Sequence, residues 1–311
     1  MTRPQDSRAQ SPNTSSTSSE TPNRPAGRTS PTATILLSCP EQPGVVARLA
    51  GFLSGHGGNI THSDNHTDFA AKLFLTRIEW QLDGFDLARD EIPLAFAPIA
   101  AELGADWSLA YSDIVPRVAL FVSKQEHCLL DLLWRHRAGE LHAEIPLVVS
   151  NHDALRGEVE REGIQFVHLP VTRESKSEVE AQELALLREH RIDLVVLAKY
   201  MQVLSDDFID RGPRVLNIHH SFLPAFVGAK PYHQAYDRGV KIIGATAHYV
   251  TPELDAGPII EQDVARVSHR DGISDLIRKG KDLERVVLAR AVRLHLMNRV
   301  LVYGNKTVVF G

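Results

Sequence analysis

Two domains in series are predicted by the 311-residue sequence: a small α+β domain and, after it, an α/β domain whose sheet is mostly parallel. Three observations carry that expectation. The length suits two separate buried cores. Between Ala33 and Ser112, extended and helical runs follow one another as β-α-β-β-α-β, the split arrangement of a ferredoxin-like domain. From Arg117 onward, short apolar runs alternate with helical stretches, the rhythm of a parallel sheet wrapped by helices.

Residues 1–32 are rich in Ser, Thr, Pro and Asn with almost no large apolar side chains. Ordering them would bury too little surface to offset the entropy lost, so a disordered tail is expected there. ATILLSCP reads as the first strand, and QPGVVARLAGFLSGHG carries apolar residues at helical spacing before it ends in glycines. Pro43 and Gly44 open that helix, where unbonded backbone N–H groups favour a carboxylate. Asn59 and Ile60 follow the glycines onto a neighbouring strand. GNITHSDNHTD and AAKLFLTRIEWQLD are two extended runs, DLARDEIPLAFAPIAAELG a second helix and ADWSLAYS the closing strand, which bounds the small domain at 33–112. The larger domain, 117–311, begins with the apolar runs RVALFVS, IPLVVSN, FVHLPV and IDLVVLA, with HCLLDLLWRHRAG and EVEAQELALLREHR as helices among them.

Composition narrows the function class. With 43% hydrophobic and 23% charged residues and a formal net charge of -5, nothing attracts the chain to a polyanion, and a nucleic-acid partner is not expected. Cys39 and Cys128 are the only cysteines and lie far apart, which points to neither a disulfide framework nor a zinc site. No apolar run reaches the roughly 18 to 20 residues of a membrane span, and the first residues lack the order of a secretory signal, so a cytoplasmic location and no membrane partner are expected.

In open α/β sheets small molecules bind beyond the carboxyl ends of the strands. NIHHSFLPAF, residues 217–226, lies at such an end and sets Asn217 and His219 two residues apart. A carboxylate to complete them is available in TPELDAG, where Asp255 precedes Ala256 and Gly257. Alone, each has an ordinary explanation: Asp before small residues forms turns, Asn caps a strand end, and a histidine can be a satisfied core group. Alternation along a strand places His219 and His220 on opposite faces, so the pair is not read as a metal site. His248, inside the apolar run GATAHYV, reads as core.

Around NIHHSFLPAF and VTPELDAGPIIEQ the sequence closely resembles the folate-dependent formyltransferase family, and the segment before it resembles an ACT domain. The resemblance implies a Rossmann-like catalytic domain whose catalytic set, carried over position by position, is Asn217, His219 and Asp255. It also implies that the loop at Met201, Gln202, Val203 and Leu204 lines a pterin site, with Val250 and Thr251 as the opposite wall. The same loop has a bland reading as the start of a helix capped by Ser205. An ACT domain placed first resembles the hydrolytic members that convert 10-formyltetrahydrofolate to formate and tetrahydrofolate, supplying formate for purine synthesis and balancing the one-carbon pool. Transfer of the formyl group to an amine acceptor is the alternative.

One departure favours water as acceptor. The resembled transferase that makes formylglycinamide ribonucleotide carries a Gly- and Ser-rich, phosphate-receiving turn after its first strand, whereas VSKQEHC, residues 122–128, has no glycine and adds Glu126. Without glycine the backbone does not readily form an anion nest, although Lys124 remains nearby. No metal and no redox cofactor are expected. The ACT resemblance further implies an amino-acid effector, with glycine and methionine the leading candidates, held by Pro43, Gly44, Asn59 and Ile60, and a homo-oligomer.

Overall fold

The computed structural model describes residues 30–225 and 231–311. Most of the expected tail lies outside the described residues, as does Phe226 at the end of NIHHSFLPAF. The first strand, β1 (Thr32–Pro40), takes in Thr32, the last residue of the expected tail, whose N–H donates to Ser112 Oγ at 2.8 Å.

After β1 come α1 (Val45–Gly55), β2 (Asn59–Asp68), β3 (Leu73–Gln81), α2 (Glu91–Leu103) and β4 (Asp106–Tyr111). The strands form an antiparallel four-stranded sheet in the order β2-β3-β1-β4. Alternation turns Ala33, Ile35, Leu37 and Cys39 to one face, where they pack with Leu49, Phe52 and Leu53 of α1 and with Ile92 and Phe96 of α2. The other face is also partly covered. Leu75 of β3 packs with Leu301 and Phe310 from the chain's end, where β12 (Val300–Tyr303) and β13 (Lys306–Val309) make a hairpin. Arg77, 4% exposed, donates to the carbonyl of Asn298 at 3.0 Å and joins the small sheet to the same region.

The register of this sheet separates residues that the sequence groups into one effector site. Thr32 and Asn59 both lie opposite Gln81, whereas Pro40 and Asp68 both lie opposite Leu73. Pro43 and Gly44 follow Pro40, so they stand at one end of the sheet while Asn59 and Ile60 stand at the other. The 11 residues of α1, roughly 16 Å of helix, lie between. Within one chain the four residues form no common site, because α1 carries the chain back along the sheet before β2 begins.

A seven-stranded sheet forms the second layer system, in the order β11-β10-β9-β8-β5-β6-β7. Its strands are β5 (Arg117–Val122), β6 (Glu144–Ser150), β7 (Gln165–His168), β8 (Leu194–Leu197), β9 (Arg214–His219), β10 (Ile242–Tyr249) and β11 (Ile259–Arg266). Pairing is parallel from β7 through β9 and antiparallel for β10 and β11. The mostly parallel α/β fold expected from the apolar runs is present. Helices α3 (His127–Arg137), α4 (Arg156–Arg161), α5 (Lys176–Glu189), α6 (Asp206–Arg211), α7 (Pro231–Arg238) and α8 (Ile273–Leu296) surround it. Val196, Leu216 and Ile218 face α3 and α8, while Val195, Leu197 and Val215 face α5 and α6, so the central strands are covered on both faces and β8 is apolar and buried along its whole length. No helix among the described residues is long and apolar enough to cross a membrane.

Candidate active site

Asn217 and His219 end β9 on the same side as Val215, the α5 and α6 face. Antiparallel β10 sets His248 opposite Asn217. Asn217 Nδ2 donates to His248 Nε2 at 3.2 Å, and His248 Nδ1 donates to the carbonyl of Tyr249 at 2.9 Å. Both ring nitrogens are therefore used in a neutral imidazole, and burial lowers the pKa of His248 accordingly. His248 orients the Asn217 amide, leaving its second N–H for a substrate oxygen. The expectation that His248 is a core side chain is corrected: it is buried, but on the pocket side, a position that only the pairing register with β9 reveals.

Asp255 reaches the same place from the loop between β10 and β11. Its φ of 55° lies in the left-handed region, which aspartate tolerates better than most residues. Gly257 beside it must be glycine for a steric reason, because a Cβ there would stand 1.9 Å from the carbonyl oxygen of Tyr249. Turned inward, Asp255 Oδ1 lies 3.2 Å from His219 Nδ1 and 3.8 Å from His248 Nε2. The bond with His219, outweighing burial, holds the Asp255 carboxyl below the usual range, so it is ionised at neutral pH. His219 is 5% exposed; its Nε2 is buried without a partner and is the ring atom left for a substrate.

These three side chains line a cleft of about 410 Å³, and Met201, Gln202, Val203, Leu204, Val250 and Thr251 line it as well. The loop 199–205 is tied down on several sides. Met201 N–H donates to Ser123 Oγ at 2.9 Å, Tyr200 Oη to Glu183 Oε1 at 2.8 Å, and Ser205 N–H to Glu180 Oε1 at 2.9 Å. Ser205 also caps α6, accepting from Phe208 N–H, so helix cap and pocket wall are the same segment. Met201 and Val203 stay more than half exposed and give the mouth an apolar rim suited to a flat ring system.

Lys199 and His220 line the cleft too, and the sequence reading assigns neither to it. The alternation expected for His219 and His220 fails because β9 ends at His219. The chain then bends, and the two rings stack with centroids 4.9 Å apart and planes 18° apart. Lys199, 5% exposed at φ 67°, places Nζ 3.3 Å from His220 Nδ1 and 3.3 Å from Glu284 Oε2 of α8. Glu284 is 1% exposed and also accepts from His127 Nε2 and Tyr232 Oη, each at 2.7 Å. Gly280 makes room for this, since a Cβ there would overlap the Tyr232 hydroxyl at 2.1 Å. His127, Cys128 and Glu284 bring three ligand-type atoms within 4.8 Å of one another. The Lys199 ammonium already stands against that carboxylate, and burial raises the Cys128 thiol, both of which oppose a cation there.

The sheet order and the cleft at the end of β9, with Asn217, His219 and Asp255 in it, lie within the span 116–292 that a family model described as formyl transferase matches. A formyltetrahydrofolate deformylase of Synechocystis sp. is 62% identical over 279 residues, 90% of this chain and 98% of that protein. That of Bacillus subtilis is 49% identical over 89% of this chain and 93% of its own length. The crystal structure of a formyltetrahydrofolate deformylase from Pseudomonas syringae pv. tomato superposes with a TM-score of 0.89 at 48% identity, covering 92% of this chain and 96% of that one. The chain belongs to the formyltetrahydrofolate deformylase family.

Proposed function

We propose that the protein hydrolyses 10-formyltetrahydrofolate to formate and tetrahydrofolate, with Asn217, His219 and Asp255 as the catalytic residues. Near full-length similarity to deformylases carries the reaction, and the mutual geometry of the three side chains supports their roles. Water attacks the formyl carbon, and the oxygen that gains negative charge accepts from the free N–H of Asn217, a donor already held in place by His248. Collapse breaks the bond from that carbon to nitrogen. His219, held through Nδ1 by Asp255, delivers a proton to the departing nitrogen, and the paired groups take up the proton that the water loses. The reaction consumes one water and needs neither a metal nor a redox cofactor. Its output is formate for purine synthesis and free tetrahydrofolate for the one-carbon pool.

Met201, Gln202, Val203 and Leu204 would receive the pterin, with Val250 and Thr251 opposite. Water rather than an amine is the acceptor in this reading. It is supported by the segment 122–128, where Ser123 is already engaged with Asn151 and Met201, and His127 with Glu284. Purified protein mixed with 10-formyltetrahydrofolate and no acceptor is expected to release formate and tetrahydrofolate in equal amounts. Folate consumed only when an amine is added would overturn the hydrolytic reading.

We read residues 33–112 as an ACT domain, 117–311 as the catalytic domain, and the location as cytoplasmic, in keeping with two free, buried cysteines. An amino-acid effector such as glycine or methionine would then be shared between two copies. β2 is an edge strand, and antiparallel pairing with the β2 of a second copy would carry Asn59 and Ile60 of one chain toward Pro43 and Gly44 of the other. Glycine or methionine at millimolar concentration is expected to bind by calorimetry and to change the hydrolysis rate. With neither effect, the small sheet serves assembly alone.

A further inference from the structure

We propose that Lys199 decides which of two stacked histidines carries the proton: by donating to His220 Nδ1 it keeps His220 neutral and reserves the charge for His219. The inference rests on the reading of His219 as the acid for the departing nitrogen, and it makes Lys199 a positioning residue.

The groups that face His220 come from five elements. Lys199 follows β8, His219 ends β9, and Tyr232 of α7 has its ring centroid 6.4 Å away. Asp255 comes from the loop between β10 and β11, and Glu284 from α8, with His127 and Cys128 of α3 beside Glu284. Of these, the ammonium of Lys199 is the one bonded to a ring nitrogen, at 3.3 Å. An ammonium has only protons to give, so Nδ1 must present its lone pair and Nε2 its N–H. Charging His220 would require a proton on Nδ1, which breaks that bond and sets two cations together in a buried place. His219 stands in the opposite situation. Its Nδ1 faces the Asp255 carboxylate, and its Nε2 has no partner to lose.

Two imidazolium rings stacked at 4.9 Å would repel, so the pair does not readily hold two protons at once. Asp255 attracts that proton to one ring and Lys199 denies it to the other. Burial first, then Lys199 and His219, push His220 down to about 4. Glu284 pulls the other way, but its carboxylate is already shared among His127, Tyr232 and Lys199. The left-handed backbone of Lys199 holds the ammonium at this crossing point between α8 and the cleft.

Nitrogen-resolved NMR of the histidine rings in the intact protein tests this without any turnover, with His220→Gln to assign the signals. From about pH 5 to 8 His220 is expected to stay neutral, with bare Nδ1 and protonated Nε2, and any proton the pair takes up to sit on His219. In Lys199→Met, the pKa of His220 is expected to rise, burial still opposing its charge, and formate release to fall about tenfold per pH unit below that new pKa. Adding His220→Gln to Lys199→Met should remove the new acid limb. If His220 takes a proton before His219 in the unmodified protein, or bears hydrogen on Nδ1, the proposal is wrong whether or not the variant folds. A Lys199→Met enzyme slowed by one factor at every pH would equally overturn it, whereas loss of the hydrolytic reading would leave the NMR result standing.

Discussion

Asp255→Asn and His219→Ala are each expected to lower the rate of formate release by about 10²- to 10⁴-fold, the usual loss when one proton-transfer or transition-state group is removed. The first change is nearly isosteric. It keeps the shape of the loop past Gly257 but replaces the anion that lies 3.2 Å from His219 Nδ1 with a neutral amide. His219 then loses the partner that favours its charged form, and the departing nitrogen loses its acid. His219→Ala removes that acid outright, together with the ring stacked on His220. Folate affinity should change little in both, because Met201 to Leu204 and Val250 are held by Ser123, Glu180, Glu183 and the backbone of Val215 rather than by His219. Single-turnover formate release beside equilibrium folate binding measures the two quantities separately. Near-normal release from both variants would remove Asp255 and His219 from the chemistry while leaving the family assignment untouched.

Period-two alternation is why part of this cluster is legible in the sequence alone: Asn217 and His219, two apart on a strand, must share a face. The apolar runs likewise announce the buried parallel strands. What spacing cannot supply is pairing register. His248 reaches Asn217 only because β10 returns antiparallel to β9 with those two residues opposite, and nothing local to GATAHYV distinguishes that from burial in a core. His220 escapes the sequence for the converse reason, since alternation holds only while the strand lasts. Glu284 escapes it because a glutamate amid RKGKDLERVV looks like part of a solvated helix face. The four effector candidates are grouped by kinship of their loops, but β1 and β2 run the same way along the small sheet, which puts those loops at opposite ends.

Glu284→Gln is expected to destabilise the fold by about 3 to 5 kcal/mol at neutral pH, the range found when one member of a buried ion pair is removed. The side chain is 1% exposed, and the amide would leave the Lys199 ammonium buried beside a neutral group while also losing the charge-assisted bond from His127. Burial by itself pushes Glu284 up, and is the largest single influence. The His127 bond, the Lys199 charge and the Tyr232 hydroxyl together outweigh it and hold the carboxyl down to about 2, from an ordinary value of 4.5. A folded value below the unfolded one means that the unfolded chain binds the proton more tightly. Stability from this group is thus complete above about pH 4.5 and lost as the pH falls toward 2. The shift corresponds to about 3 kcal/mol. Urea unfolding followed at a series of pH values should show the parent losing stability across that acid window, while Glu284→Gln starts lower at neutral pH and has a flatter acid limb. A variant as stable as the parent, with the same acid limb, would mean that the Lys199 ammonium does not depend on this carboxylate.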